Sequence, residues 1–265
     1  MTKAQDTTVD YEVIRGVMGM WLIGWYIKAF FFFPYLFSEI VRFPVRNNFF
    51  PAIFASSLIA QIAYILPGAT IFTLFKPRRE SLILSSQIMV FSSAILMWHQ
   101  DTYNDATFVS SFWVALWLGW VSINLNRLDE NLRSHARVLA VFILALFFMG
   151  GFTGKLTPEY WNGQIFYNIF IGQEGDSPFL WLKKNFTMTQ VQLFCTVVSR
   201  FIIGIEMFLA FSLFFPFRLI RESSPWLMGG ITLFSTWRIL SVLSCLMGMI
   251  WFSGKWSESQ QANGK

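Results

Sequence analysis

Between Val13 and Phe252, long and almost uncharged apolar runs follow one another with only short polar breaks. Crossing the hydrocarbon core of a bilayer takes roughly 20 residues of helix. Seven stretches reach or approach that length: Val13–Phe37, Phe50–Phe75, Leu82–Trp98, Phe108–Asn124, Val138–Phe152, Val191–Phe217 and Trp226–Phe252. Lipid offers backbone N–H and C=O groups no partner, so each run must bond internally as a helix. The alternating strands of about ten residues that build a membrane barrel do not occur. The expectation is an all-α integral membrane protein with about seven transmembrane helices.

Charged residues make up 13% of the chain, against roughly 25% in soluble domains. No segment outside the runs is long enough for a core of its own, so residues 1–265 form one membrane domain. Met1–Asp10 lacks the basic n-region and cleavage site of a signal peptide, which makes the first run a retained helix. The net charge of +5 does not point to nucleic acid, because the basic residues sit in short clusters between runs, as orientation signals do. Lys76, Arg78 and Arg79 follow the second run, Arg127, Arg133 and Arg137 the fourth, and Arg218 and Arg221 the sixth. The alternate loops, 38–49 and 99–107, hold only Arg42 and Arg46. By the positive-inside rule the first face is cytoplasmic. The N-terminus is then cytoplasmic, and seven crossings put the C-terminus outside. His99, Asp101, Asp105 and the 153–190 connection lie on the outer side.

That connection is the one long loop. Thr157 followed by Pro158 suits a helix start, since the hydroxyl caps orphan amides and proline fits the first turn. Trp161, Ile165, Phe166, Ile169 and Phe170 fall mostly on one side of the helix that follows, which predicts an interfacial helix.

Charges inside membrane spans are costly and usually paired or functional. Here they are Arg15, Lys28, Arg200, Glu206 and Arg238. Glu206 and Arg238 sit mid-span on successive helices, so they read either as a structural pair or as a proton- or substrate-handling site. Lys155 stands at the outer mouth of the fifth run, after Gly150-Gly151-Phe152-Thr153-Gly154. Glycines there let a helix or flat ligand approach the backbone. Desolvation penalises an ammonium group, so a lysine at a dry edge serves either as a general base or as a snorkelling anchor for headgroup phosphates. His99, in a polar turn running to Asp105, reads as a pocket wall. No His, Cys and carboxylate spacing defines a metal site. Cys195 and Cys245 lie in apolar runs, as buried thiols or as a disulfide between the last two helices. Asn185-Phe186-Thr187 is a glycosylation triplet on the outer side.

The run FFMGGFTGKLTPEYWNG, residues 147–163, resembles a motif in the membrane region of vitamin K-dependent γ-carboxylases. The wider resemblance, from about Tyr11 to Phe252, is to the horizontally transferred transmembrane domain (HTTM) family. More distantly the chain is similar to the DoxX/MauE group. SRFIIGIEMFLAFSLFFPFRLIR, residues 199–221, resembles the family helix with one buried acid and a basic exit. The resemblance implies a bacterial inner-membrane protein using a quinol or vitamin K-like lipid-soluble cofactor at an outward-facing site. It implies Lys155 as the base. The polar site expected around it takes in His99 and Glu206 as further catalytic groups, with Gly151, Gly154, Trp161 and Arg238 holding the cofactor. The alternative is a non-catalytic scaffold or maturation subunit for a membrane or periplasmic partner. The lack of an inverted repeat or paired broken helices argues against a transporter.

Overall fold

A lipid-length apolar run has one economical way to satisfy its backbone. In the computed structural model every regular element among the described residues is helical. The structure describes residues 2–37, 56–99, 106–172, 179–233 and 239–257. Six of its helical stretches are long and apolar enough to cross a membrane: Leu58–Phe75, Arg79–Met97, Ala106–Arg127, Glu130–Gly154, Met188–Ala210 and Ile239–Ser257. The chain is an all-α protein of membrane type. The first expected span lies in α1 (Thr2–Phe37), a helix that carries Arg15 and Lys28 and is not among the six. Contacts divide the chain into two compact units, residues 1–143 with 237–265 and residues 144–236.

The first unit contains α1, α2 (Ser57–Ile65), α3 (Ile71–Phe75), α4 (Arg79–His99), α5 (Ala106–Asn124), the start of α6 (Glu130–Gly154) and, from the end of the chain, Ile239–Ser253. Pro67 lacks an amide donor, and a tighter helical turn, Leu66–Thr70, replaces the α-helix there between α2 and α3. α1 packs along Ile239–Ser253 through small residues, the usual means of close helix contact in lipid. A methyl on Gly24 would collide with the Ser241 carbonyl and the Ser244 hydroxyl, and one on Gly248 with Met20. Buried indoles spend their N–H on carbonyls of neighbouring helices: Trp21 on Ser111 at 2.8 Å, Trp25 on Tyr64 at 3.1 Å and Trp117 on Ala136 at 2.8 Å.

Asp10, Arg133 and Trp256 meet at one end of this unit. Arg133 grips the Asp10 carboxylate with two nitrogens, at 3.0 and 2.9 Å, and the Trp256 indole donates to the same carboxylate at 2.8 Å. Asp10 and Trp256 are all but inaccessible. Asp10 and Trp256 therefore lie at the same end of the unit. Arg133, expected in a basic loop, belongs to the first turn of α6 and is buried.

The second unit is built around α10 (Met188–Ala210). Against its first half pack α7 (Pro158–Trp161), α8 (Gln164–Tyr167) with a π-helical turn over Asn168–Gly172, and α9 (Leu180–Asn185). Phe166, Ile171 and Leu182 bury themselves on Val191, Cys195, Val198 and Ile202, one face of α10 at helical spacing. The expected single interfacial helix is thus broken into pieces. Gly163 interrupts it with φ +78°, and Phe166 is buried while Trp161 and Ile169 are exposed, so no common apolar side results. The sixth span ends at Ala210 instead of Phe217, because a short turn, Ser212–Phe214, and Pro216 stop the helix. α11 (Phe217–Leu233) follows, burying Ile220, Ser224, Met228 and Ile231 at helical spacing. The seventh expected span, Trp226–Phe252, falls on α11 up to Leu233 and on α12 (Ile239–Ser253), with residues 234–238 outside the described residues. Both cysteines are free and buried, so the disulfide alternative is not formed.

Candidate functional site

The second unit turns the residues around Lys155 into a defined arrangement. α6 closes with Lys155 N–H donating to Phe152 O at 3.0 Å and Leu156 N–H to Thr153 O at 3.3 Å. The chain then reverses into α7, where the Thr157 hydroxyl accepts the Tyr160 N–H at 3.4 Å, a cap for an otherwise orphan donor. This tight turn sends the Lys155 side chain back along the end of α6. Its Nζ donates to the Gly151 carbonyl at 3.3 Å and to Glu206 Oε1 of α10 at 3.0 Å. Glu206 Oε2 lies 2.8 Å from the same nitrogen yet accepts no hydrogen bond of good geometry. The ammonium sits astride the carboxylate.

The two partners differ in access. The Lys155 side chain keeps 22% of its surface open and the Glu206 side chain only 8%, so a ligand reaches the amine first. Gly151 explains how a carboxylate fits there: a Cβ at that position would lie 3.2 Å from Oε2. Gly154, expected to serve the same purpose, has nothing within 4 Å of where its Cβ would be and borders open space. The Tyr160 ring centroid is 5.7 Å from Lys155 Nζ, placing an aromatic face beside the amine.

A short helix leaves its last carbonyls without partners, and α10 supplies them to α7. Ser199 Oγ donates to Tyr160 O at 2.6 Å, Arg200 Nε to Trp161 O at 3.1 Å and Thr196 Oγ1 to Asn162 O at 2.8 Å. Irregular backbone against an apolar helix is tolerated when its polar groups are met in this way. Gly163 completes the fit, because a side chain there would stand 2.5 Å from the Cys195 carbonyl carbon and the Thr196 nitrogen. Residues 157–163 are thereby pinned to α10, holding Tyr160 next to Lys155.

Of the residues predicted for the site, Lys155, Glu206 and Gly151 come together. Trp161 is nearby but spends its carbonyl and its ring on Arg200, whose guanidinium lies 5.0 Å from the ring centroid. Arg238 and the side chain of His99 lie outside the described residues, and with them the expected Glu206–Arg238 pair. Glu206 instead takes Lys155. Tyr160, Ser199 and Thr196 escaped the sequence reading, since neutral residues become visible only once α7 is known to lie on α10. The buried Asp10–Arg133 pair was also missed, because both residues sit in polar-looking stretches. Among the described residues no group of three His, Cys, Asp or Glu is placed to hold a metal ion.

Comparison of the chain with protein-family models, with curated proteins and with solved structures finds no match.

Proposed function

We propose that this is an integral membrane protein in which Lys155 and Glu206 form a proton-handling pair for a lipid-soluble, hydroxyl-bearing ligand such as a quinol. One observation carries this reading: a part-open amine is held on a buried carboxylate at the end of an apolar helix. Lys155, Tyr160 and Gly154 fit such a ligand, offering a reachable amine, an aromatic face and open backbone. A bound quinol would supply a weakly acidic hydroxyl and a pair of removable electrons. Nζ becomes a base when the pair's own proton resides on Glu206, a transfer that the Nζ–Oε1 hydrogen bond permits. Taking one proton from the ligand then returns Nζ to ammonium, opposite the anion left behind, while Glu206 stays neutral. In a dry site such charge complementarity is strong.

Arg127, Arg133 and Arg137 cluster about the start of α6, which the positive-inside rule assigns to the cytoplasmic side. Lys155, just past the other end of this 25-residue helix, then faces the periplasm or lumen. The resemblance of residues 147–163 to the γ-carboxylase membrane region agrees with a quinol-linked role and a bacterial inner-membrane setting. A scaffold role for a membrane or periplasmic partner is the second reading. It is favoured by the way Glu206 and the Gly151 carbonyl both engage the Lys155 ammonium, as a purely structural lock would.

Titration of the detergent-solubilised protein with a reduced naphthoquinone, followed by tryptophan fluorescence, separates the two. A proton-handling pair gives saturable quenching in the wild type that Lys155→Met abolishes while membrane insertion persists. Equal binding by wild type and Lys155→Met retires the enzymatic reading and leaves the scaffold.

A further inference from the structure

Arg200 is used only in part by the fold. It is the thirteenth residue of the 23-residue helix α10, about 18 Å from the helix start and level with the end of α7, to which it is bonded. Its side chain is exposed on the surface of the unit. Nε donates to Trp161 O at 3.1 Å, and the guanidinium lies over the Trp161 ring at 5.0 Å. Its two terminal nitrogens make no hydrogen bond or ion pair among the described residues. Carbonyl and ring together fix the plane of the group, leaving the outer edge of the fork ready for a second acceptor.

The surface around it is apolar. Leu193 is 65% exposed, Val197 58% and Phe201 53%, all on α10. One turn further on, Gly204 opens onto free space. A guanidinium among such side chains is unfavourable without a counter-charge. The neighbours suit acyl chains and the fork suits a phosphate.

We propose that Arg200, braced by Trp161, binds the phosphate of a membrane phospholipid whose acyl chains lie along Phe201 and Gly204. This site is independent of the chemistry at Lys155. Arginine holds phosphate oxygens with two parallel N–H donors, which a lysine cannot reproduce. The same phosphate chemistry is available from free inorganic phosphate, so the two sources need separating.

Native mass spectrometry of the full-length, delipidated protein provides the test, with phosphatidylglycerol, diacylglycerol and inorganic phosphate as probes. The expected result is retention of one phosphatidylglycerol per chain and no retention of diacylglycerol. Arg200→Gln weakens phosphatidylglycerol retention by about tenfold or more, the scale of losing charge-assisted hydrogen bonds. Arg200→Lys falls between the two, and Arg218→Gln, at an exposed arginine of the same unit, binds as the wild type does. Trp161→Leu, which frees the guanidinium to wander, also weakens retention. Undiminished binding to Arg200→Gln overturns the site, and so does displacement of the lipid by an equal concentration of inorganic phosphate.

Discussion

Removing one member of the Lys155–Glu206 pair has a cost set by what is left behind. Lys155→Met leaves a carboxylate of which only 8% is exposed, with Oε2 already lacking a hydrogen bond. Orphaning one partner of a buried pair costs about 3–5 kcal/mol. Protonation of the carboxyl relieves part of this, so a loss of about 3 kcal/mol is expected. Glu206→Met leaves an amine that is 22% exposed and still bonded to the Gly151 carbonyl, so its loss is smaller, about 1–2 kcal/mol. The double variant leaves neither charge stranded and should unfold within about 1 kcal/mol of the wild type. Unfolding in mixed micelles with rising denaturing detergent, measured by circular dichroism, gives all four corners of the cycle. The expected coupling is therefore about 3–5 kcal/mol. Additive losses in the double variant would falsify the claim that these two side chains are each other's partners.

Gly163→Ala forces a side chain into a left-handed φ of +78° and against the α10 backbone at 2.5 Å, and should cost at least about 1–3 kcal/mol; unchanged thermal stability would contradict the pinning of residues 157–163. Gly151→Ala crowds Glu206 Oε2, and ligand binding at Lys155 should weaken while the fold holds; binding equal to wild type would show that the carboxylate's seat is unimportant. In the first unit, Asp10→Asn should cost about 3 kcal/mol by stranding buried Arg133, and Trp256→Phe about 1 kcal/mol for one hydrogen bond. Equal losses in thermal melts would mean that charge is not what holds that cluster. Single cysteines introduced at Glu12 and Lys255, whose side chains are both at least part-exposed, should react with an impermeant maleimide from the same side of the membrane; opposite reactivity would contradict the shared position of Asp10 and Trp256.

The apolar runs made the helical class legible, because lipid leaves the backbone no alternative. They did not reveal how the second span would tighten at Pro67, or that the sixth would stop at Ala210. Lys155, Gly151 and Glu206 were each legible as unusual residues. Their pairing was not, since depth along a helix made Arg238 as good a partner for Glu206 as Lys155. What decides the pairing is the turn at residues 155–157, which points the lysine back toward Gly151, and no periodicity encodes such a turn. The broken course of residues 158–172 was hidden for a similar reason. Its apolar residues look like one amphipathic helix until Gly163 is seen to reverse the backbone. Asp10 and Arg133 looked solvated because their partner, Trp256, is far away in sequence.

Infrared difference spectroscopy of the membrane-embedded protein, before and after adding a reduced naphthoquinone, reaches the proposed proton transfer directly. A proton-handling pair produces a carboxyl band that is assigned to Glu206 by its loss in Glu206→Gln and that vanishes in Lys155→Met. A wild-type difference spectrum with no carboxyl change at ligand saturation, or one left intact by Lys155→Met, would contradict it.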